Sequence, residues 1–361
     1  MSGLREEIGL RQPVWLNPLN LIRVMPAKER EFRLSHSRII VIGAGVAGLT
    51  CALELHERGL DVEVVERGPR LGAGGCSWMA GGMLAPWCER ASTDAAVLTL
   101  GEPSIDWWAR RFAGTARNGT LVVAPPRDIT ELTRFAERTT GHEWRDETGI
   151  ADLEPDLAGR FRRALFFAGE AHLDPRRALP ALADLLAKRG VPVHFGIEAP
   201  PSGMTVDCRG LAARDVLPDL RGVRGEMVMV RSRDLSLSRP VRLLHPRIPL
   251  YIVPRGDGVF MIGATMIESE VRGGASVRST VELLNAAYTL HPAFGEAEIL
   301  EIGADLRPAF PDNLPAVRRG PHGLLVNGLY RHGFLLAPAM ARQAADLVEM
   351  DHADLRQRRS A

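Results

Sequence analysis

The chain has 361 residues, of which 45% are hydrophobic, and its formal net charge is +1. This composition is typical of a globular protein with a sizeable core, and the balanced charge argues against a nucleic-acid-binding or membrane-surface protein. The four cysteines form no C-x-x-C pair, so we expect neither a metal site nor a disulfide framework. Because no apolar run approaches the ~18 residues of a spanning helix and no secretory signal is visible, we expect a cytoplasmic protein.

Residues 1–37 precede the first predicted strand. They mix arginine, glutamate and apolar residues with three prolines, Pro13, Pro18 and Pro26. We expect a dispensable terminal extension, and a docking arm is the alternative interpretation.

Residues 38–66 form a complete strand–helix–strand pattern. Residues 38–42 are a short β-branched run, which is typical of a buried parallel strand. An apolar helical pattern follows and stops at Gly59. A second apolar run, residues 62–65, ends on Glu66. The pattern predicts a β-α-β unit of the ~30 residues that a dinucleotide-binding fingerprint requires.

Three glycines of this unit, Gly43, Gly45 and Gly48, have G-x-G-x-x-G spacing. The first permits a tight turn, the second lets a pyrophosphate approach the backbone, and the third lets helix and sheet pack closely. Free N–H groups at the helix start favour an anion, and Glu66 can accept hydrogen bonds from both ribose hydroxyls. The alternative is a glycine-rich turn in an unrelated α/β protein. The candidate cofactor-binding residues here are Gly43, Gly45, Val46, Ala47, Gly48, Glu66 and Arg67.

Residues 68–86 are rich in glycine and alanine, which favours FAD over NAD, because an NAD enzyme would usually continue into another helix and strand. With its AGGMLAP segment the sequence resembles the D-amino-acid oxidase and sarcosine oxidase family of FAD-dependent oxidoreductases, and within it the glycine oxidases of thiamine biosynthesis. A flavin would pack against this segment. The candidate residues are Cys76, Ser77, Gly81, Gly82 and Met83.

The middle of the chain is expected to leave the nucleotide fold and return to it. Helical periodicity covers residues 95–113 and 128–139, and residues 119–124 predict a strand. The resemblance implies a helix over residues 143–153, and residues 161–174 are expected to form a strand that returns to the nucleotide domain. A helix over residues 177–189 and a strand over residues 191–196 follow. The resemblance also places Ala199 at the adenine edge and a strand and turn at residues 206–210.

Residues 225–231 begin a second excursion, and the turn at residues 255–258 predicts a hairpin. The YIVPR and GATM segments resemble the sheet that covers the flavin in the family. This resemblance implies that Tyr251 and Met266 line the substrate pocket; otherwise they are an interface residue and a core residue. Pro249 stands where the family has a histidine.

The segment GADLRPAFP, residues 303–311, resembles the family's G-x-R-P turn, which places Arg307 at the substrate-binding arginine. A guanidinium can hold a carboxylate with two parallel hydrogen bonds. An ordinary surface arginine is the alternative.

The last motif is a strand over residues 324–326, a turn over residues 328–333 and a helix from Ala337, with Pro338 in its first turn. Backbone N–H groups at this turn would stabilise negative charge on the flavin pyrimidine. Arg331 corresponds to the family's second arginine and is a candidate for both substrate and cofactor. The other cofactor candidates are Tyr330, His332, Gly333, Phe334 and Leu335.

We therefore expect an α/β protein with a Rossmann-like FAD-binding domain of the glutathione-reductase type. A second, α+β substrate domain is expected on a mostly antiparallel sheet. The predicted FAD-binding domain is discontinuous, with residues 38–86, 171–223 and 302–350. The substrate domain takes residues 87–170 and 224–301, and residues 351–361 form a tail.

The resemblance implies oxidative deamination of a small amino acid, most simply glycine, by hydride transfer to flavin N5. Oxygen would be the acceptor, and imine or oxo acid, ammonia and peroxide the products. No residue is assigned as a catalytic acid or base. Thiazole synthase and a second copy of the chain are candidate partners. The alternatives are a sarcosine oxidase, a D-amino-acid oxidase or dehydrogenase, and a flavin-bearing module of a larger assembly.

Overall fold

The structure is a computed structural model that describes residues 38–198, 203–244 and 250–360, of which residues 352–360 are described by their backbone. The predictions for residues 1–37, Ala199 and Pro249 lie outside these ranges. The strands in chain order are β1 (Ile39–Ile42), β2 (Val62–Glu66), β3 (Met83–Leu84), β4 (Thr120–Val123), β5 (Glu143–Asp146), β6 (Arg163–Phe167), β7 (Ala171–His172), β8 (Val193–Phe195), β9 (Thr205–Asp207), β10 (Arg221–Arg231), β11 (Val241–Leu243), β12 (Leu250–Gly256), β13 (Val259–Gly263), β14 (Glu298–Ala309), β15 (Ala316–Gly320) and β16 (Gly323–Asn327). The helices are α1 (Val46–Glu57), α2 (Pro86–Glu89), α3 (Ala95–Arg111), α4 (Ile129–Glu137), α5 (Glu147–Leu153), α6 (Pro175–Lys188), α7 (Val277–Leu290) and α8 (Gly333–Ser360).

A six-stranded sheet carries the dinucleotide fingerprint. Its order is β15-β16-β9-β1-β2-β8, and all neighbours are parallel except β15 and β16. The predicted β-α-β unit is β1, α1 and β2. Gly43 has a φ of +103°, and a Cβ at Gly48 would lie 1.8 Å from the Gly43 carbonyl oxygen. Only glycines at these two positions therefore let α1 start directly against the turn.

A second, eight-stranded sheet has the order β14-β10-β13-β12-β11-β4-β6-β5. Its neighbours are antiparallel apart from the β11–β4 pair, and the apolar side of α7 packs on it. The α/β fold with a second, mostly antiparallel sheet is thus confirmed. The domain boundaries stay a prediction, although β14 runs through the predicted boundary at residue 302 and pairs with β10 along its whole length.

Two elements of the middle segment differ from the prediction. Residues 143–153 form β5 and then α5, because the Asp146 carboxylate accepts a hydrogen bond from the Gly149 N–H and caps a helix that begins only there. Residues 161–174 form two strands, since a turn at Ala168 and Gly169 separates β6 from β7. β6 belongs to the larger sheet and does not return to the smaller one.

The last helix begins at Gly333, four residues before the predicted start at Ala337. Pro338 lies inside the helix and has no N–H to donate to the Phe334 carbonyl. The indole N–H of Trp108 on α3 donates to that carbonyl instead, at 2.7 Å. The Phe334 carbonyl in the first turn of α8 therefore has a hydrogen-bond donor from outside the helix. None of the described helices combines the length and the apolar character needed to cross a membrane.

Candidate functional site

Two adjoining cavities lie beside the glycine turn of β1 and α1. The first, here called the loop cavity, is lined by the turn itself, Glu66, Arg67 and residues 70–78. The second, the arginine cavity, is lined by Tyr251, Arg307, Arg331 and the start of α8 among others. The cavities share a wall, since both are lined by Gly45, Cys76, Ser77, Cys208, Gly210, Asp305 and Pro308. One elongated ligand can therefore occupy both.

Glu66 organises the loop cavity. Its Oε2 atom accepts a hydrogen bond from the Ala44 N–H at 2.8 Å, and its Oε1 atom accepts one from the Gly68 N–H at 2.7 Å. The Ser77 hydroxyl accepts a hydrogen bond from the Val46 N–H at 3.2 Å. Each carboxylate oxygen can accept a further bond, so the carboxylate remains able to bind hydroxyl groups.

The loop cavity fits the adenosine and pyrophosphate parts of FAD. Gly45 presents bare backbone to it, and the guanidinium-bearing residues along its wall are Arg67, Arg70, Arg209 and Arg272. Cationic side chains and helix-start N–H groups are the groups that bind phosphate oxygens. The donors, the bare backbone and the acid at the end of β2 are thus all present.

Arg307 lies in the arginine cavity, but within strand β14 and not in the predicted turn. Its Nη1 atom donates to the Thr265 carbonyl at 3.0 Å, and among the described residues no carboxylate forms an ion pair with it. A Cβ at Gly225 would lie 2.2 Å from Arg307 Nη2, so the guanidinium lies across bare backbone. Burial raises the pKa of the neighbouring Asp305, although the charge of Arg307 opposes this effect.

Tyr251, on β12, faces the same cavity. Its ring packs against Gly81 and Gly263, where any Cβ would lie 3.0 Å from the ring. Burial raises the pKa of Tyr251, so its hydroxyl stays protonated and can donate a hydrogen bond. Arg255, on the same strand, has a buried side chain that donates to the carbonyls of Ala80 and Gly81, at 3.1 and 2.9 Å, and to that of Leu173 at 2.8 Å. Strand β12 therefore holds residues 80 and 81 in place.

Arg331 forms an ion pair with the buried carboxylate of Glu89. Its Nη2 atom lies 3.0 Å from Oε2 of Glu89 on α2 and donates to the Ser92 hydroxyl at 2.6 Å. The other Glu89 oxygen accepts a short hydrogen bond from Arg242 on β11. His332 Nδ1 lies 3.5 Å from Glu89. Burial lowers the pKa of His332 to about 4, so this imidazole is neutral near pH 7.

Behind this cluster Glu170 is buried and accepts a hydrogen bond from the Cys88 N–H at 2.7 Å. Burial raises its pKa to about 7 although the charge of Arg242 opposes the shift. The folded protein therefore retains a proton on Glu170 that the unfolded chain releases near pH 4.5, and the free energy of unfolding falls as the pH rises from 4.5 through 7.

Glu170→Gln keeps the acceptor and removes this titration. The offset is the melting temperature of the variant minus that of the parent at the same pH. We expect this offset to be roughly 2–5 °C larger at pH 8 than at pH 5.5. Thermal unfolding at both pH values measures this difference. Glu137→Gln, at an exposed carboxylate on α4, is the control and should give the same offset at both. An equal offset for Glu170→Gln would contradict the raised pKa.

The structure brings most of the predicted site residues to the two cavities. Residues that line them are Gly43, Gly45, Val46, Ala47, Glu66, Arg67, Cys76, Ser77, Gly81, Tyr251, Arg307, Tyr330, Arg331, Gly333 and Phe334. Six predicted residues do not line either cavity: Gly48, Gly82, Met83, Met266, His332 and Leu335. Gly82 faces the Leu173 carbonyl, and Met266 is 43% exposed, with its sulfur 3.1 Å from Arg331 Nη1. The cofactor and substrate roles of all these residues stay predictions.

Sequence reasoning did not single out Glu89, Arg242, Asp305 or Arg255. Glu89 and Arg242 are 153 residues apart and meet only in the folded chain. Asp305 precedes the predicted arginine by two positions and Arg255 ends the YIVPR segment, so the signal for these two was adjacent to motifs already identified.

Comparisons with known proteins identify relatives of this chain. The profile of the FAD dependent oxidoreductase family (DAO) matches residues 38–347. The thiamine biosynthesis oxidoreductase ThiO of Rhizobium etli is 59% identical over 85% of this chain and 95% of its own length. The glycine oxidase of Pseudomonas aeruginosa is 29% identical over 86% of this chain and 94% of its own. The bifunctional protein ThiO/ThiG of a Nostoc species is 27% identical over 88% of this chain and 53% of its own.

A crystal structure of the glycine oxidase from Bacillus cereus has the same fold. It superposes with a TM-score of 0.74 at 24% identity and covers 87% of this chain and 95% of the other.

Proposed function

Because this chain belongs to the family of FAD dependent oxidoreductases and has FAD as its cofactor, we propose that it oxidatively deaminates a small amino acid, above all glycine. The observation that carries the proposal is Arg307. It is a guanidinium without a carboxylate partner among the described residues, in a cavity that adjoins the glycine turn. The similarity to the glycine oxidase of Pseudomonas aeruginosa supports glycine as the substrate.

In the proposed reaction Arg307 holds the substrate carboxylate with two parallel hydrogen bonds and thereby orients the α-carbon. The protonated hydroxyl of Tyr251 donates a further bond to it. The residues of the loop cavity and the start of α8 would hold FAD, which when bound would supply the acceptor for the α-hydrogen as hydride, with oxygen as the final acceptor and peroxide as its product. Hydrolysis of the imino acid gives oxo acid and ammonia. No side chain is assigned as a general base.

The start of α8 supports the cofactor side of the cavity. Gly333 and Phe334 line the cavity at the helix N-terminus, where backbone N–H groups and the helix dipole favour negative charge. Such an arrangement stabilises charge that develops on a bound ring system during reduction.

An anaerobic absorbance experiment tests the proposal. The purified protein should be yellow, and denaturation should release FAD and neither FMN nor NAD. Glycine, sarcosine, D-alanine and D-proline are then added without oxygen. We expect glycine to bleach the flavin band with the highest second-order rate constant and peroxide to form on admission of air. A faster reaction with sarcosine would indicate a sarcosine oxidase, and a faster reaction with a D-amino acid would indicate a D-amino-acid oxidase or dehydrogenase. If no amine bleaches the flavin band, the protein does not oxidise amino acids.

The similarity to the bifunctional protein ThiO/ThiG supports a proposed place in thiamine biosynthesis. We propose that the imino product passes to a thiazole synthase. Co-purification of the two proteins, or faster thiazole formation from glycine when both are present, would test this step. The cytoplasmic location and the homo-oligomer stay predictions.

A further inference from the structure

The arginine cavity contains two guanidinium groups that differ in their pairing. Arg307 makes one hydrogen bond, to a backbone carbonyl, and within the described part of the chain it has no ion-pair partner. Arg331 has a carboxylate 3.0 Å from its Nη2 atom and a hydroxyl at 2.6 Å. The cavity therefore offers one guanidinium that still lacks an anion.

Glu89, the partner of Arg331, is also held by Arg242. It ends the short helix α2 and is 8% exposed, and its second oxygen accepts a hydrogen bond from the half-buried Arg242. Burial alone would raise the pKa of Glu89, but the charges of Arg331 and Arg242 outweigh burial and hold this pKa well below its usual range. The carboxylate is therefore ionised at neutral pH.

The remaining nitrogens of Arg331 also face protein groups. Nη1 lies 3.1 Å from the sulfur of Met266, and Nε lies 3.4 Å from Nε2 of His332. A second carboxylate on a bound amine would thus have to displace Glu89 from Arg331 or lie close to its negative charge. Like charges in a desolvated site oppose binding strongly.

On the basis of the proposed amino-acid oxidation, we propose that Glu89 is the resident counter-ion of Arg331 and determines the substrate class. The cavity accepts amines with one carboxylate, which binds to Arg307, and rejects amines with two. Glu89 does not touch the reacting atoms; it acts through Arg331 and through its own charge.

The test compares two ligands of nearly equal size, iminodiacetate and its monoamide, which differ by one carboxylate. The parent should have a higher kcat/KM for the monoamide. Glu89→Gln keeps the side-chain shape and removes the charge. We expect the ratio of kcat/KM for iminodiacetate to that for the monoamide to rise by roughly tenfold to a hundredfold. Adding Arg331→Gln should abolish the gain, because the second carboxylate then has no partner.

Glu154→Gln is the matched control. Glu154 is also buried and paired with an arginine, Arg239, at 2.7 Å, but neither residue lines either cavity. A structural ion pair of this kind should leave the ratio unchanged. If Glu89→Gln does not fold, the double variant Glu89→Gln/Arg242→Met removes one negative and one positive charge together and should show the same rise.

A binding measurement separates this proposal from the proposed function. Acetate and malonate are titrated against the bound-flavin absorbance, without turnover. In Glu89→Gln the Kd for malonate should fall by roughly tenfold or more relative to that for acetate. If no amine is oxidised but this shift occurs, the proposed substrate is wrong and the counter-ion role stands. The counter-ion role would be overturned if Glu89→Gln folds and keeps two ratios of the parent. These are the ratio of kcat/KM for iminodiacetate to that for its monoamide and the ratio of Kd for malonate to that for acetate.

Discussion

Arg307→Ala is expected to lower kcat/KM for glycine by roughly tenfold to several-hundredfold, with the bound-flavin spectrum nearly unchanged. The variant leaves the substrate carboxylate without its partner in a partly desolvated cavity. Hydrogen bonds to charged groups contribute on the order of 1.5–3 kcal/mol each, and a factor of ten corresponds to about 1.4 kcal/mol. Steady-state kinetics with glycine and with an uncharged amine of similar size measure the effect. The uncharged amine should lose much less.

Two further variants sharpen this test. Arg307→Lys should recover only part of the activity, since an ammonium keeps the charge but loses the planar fork. Gly225→Ala introduces a Cβ that would lie 2.2 Å from Arg307 Nη2, so it should displace the guanidinium and reproduce much of the loss. If Arg307→Ala oxidises glycine as well as the parent does, Arg307 has no role in binding and Arg331 becomes the next candidate for the carboxylate.

The second large effect is expected at Glu66. Glu66→Ala removes the acceptor of the Ala44 and Gly68 N–H groups together with the acceptor that we assign to the ribose hydroxyls. We expect the Kd for FAD to rise by roughly tenfold to a thousandfold. Titration of the apoprotein with FAD, followed by the quenching of flavin fluorescence, measures this constant.

Asp61→Ala provides the control for Glu66. Asp61 precedes the opposite end of β2 and pairs with Arg38 at an exposed position, so its removal should leave the Kd for FAD unchanged. Glu66→Gln retains an acceptor oxygen and should give an intermediate Kd. Tight FAD binding by Glu66→Ala would contradict a role for this carboxylate at the ribose.

The nucleotide half of the site could be predicted from sequence because it is contiguous. The glycine turn, the helix start and Glu66 lie within 24 residues, and local sterics alone require glycine at positions 43 and 48. The hairpin of β12 and β13 was predictable for the same reason. The resemblance of residues 303–311 to the family's G-x-R-P turn also pointed to Arg307, although its place in a strand depends on pairing with β10, which is far away in sequence.

The environment of Arg331 could not be predicted in this way. Glu89, Arg242 and Glu170 come from a short helix, a strand and a turn, and their burial is decided by how these elements pack. The start of α8 differs from the prediction because a proline is expected in the first turn of a helix, whereas Pro338 lies inside this one. A tryptophan 230 positions earlier supplies the donor that makes an interior proline tolerable there.

Arg255 donates hydrogen bonds to the carbonyls of Ala80 and Gly81, in the same segment that contributes Cys76 and Ser77 to the wall shared by both cavities. Tyr251 and Arg255 belong to one strand, and Gly81 lies against the Tyr251 ring. A cofactor that orders residues 76–81 therefore also orders Tyr251, and a carboxylate bound at Tyr251 orders residues 76–81 in return. Thermodynamic linkage requires such effects to be reciprocal. Acetate should thus tighten FAD binding by the same factor by which FAD tightens acetate binding, and Arg255→Met should reduce both factors together.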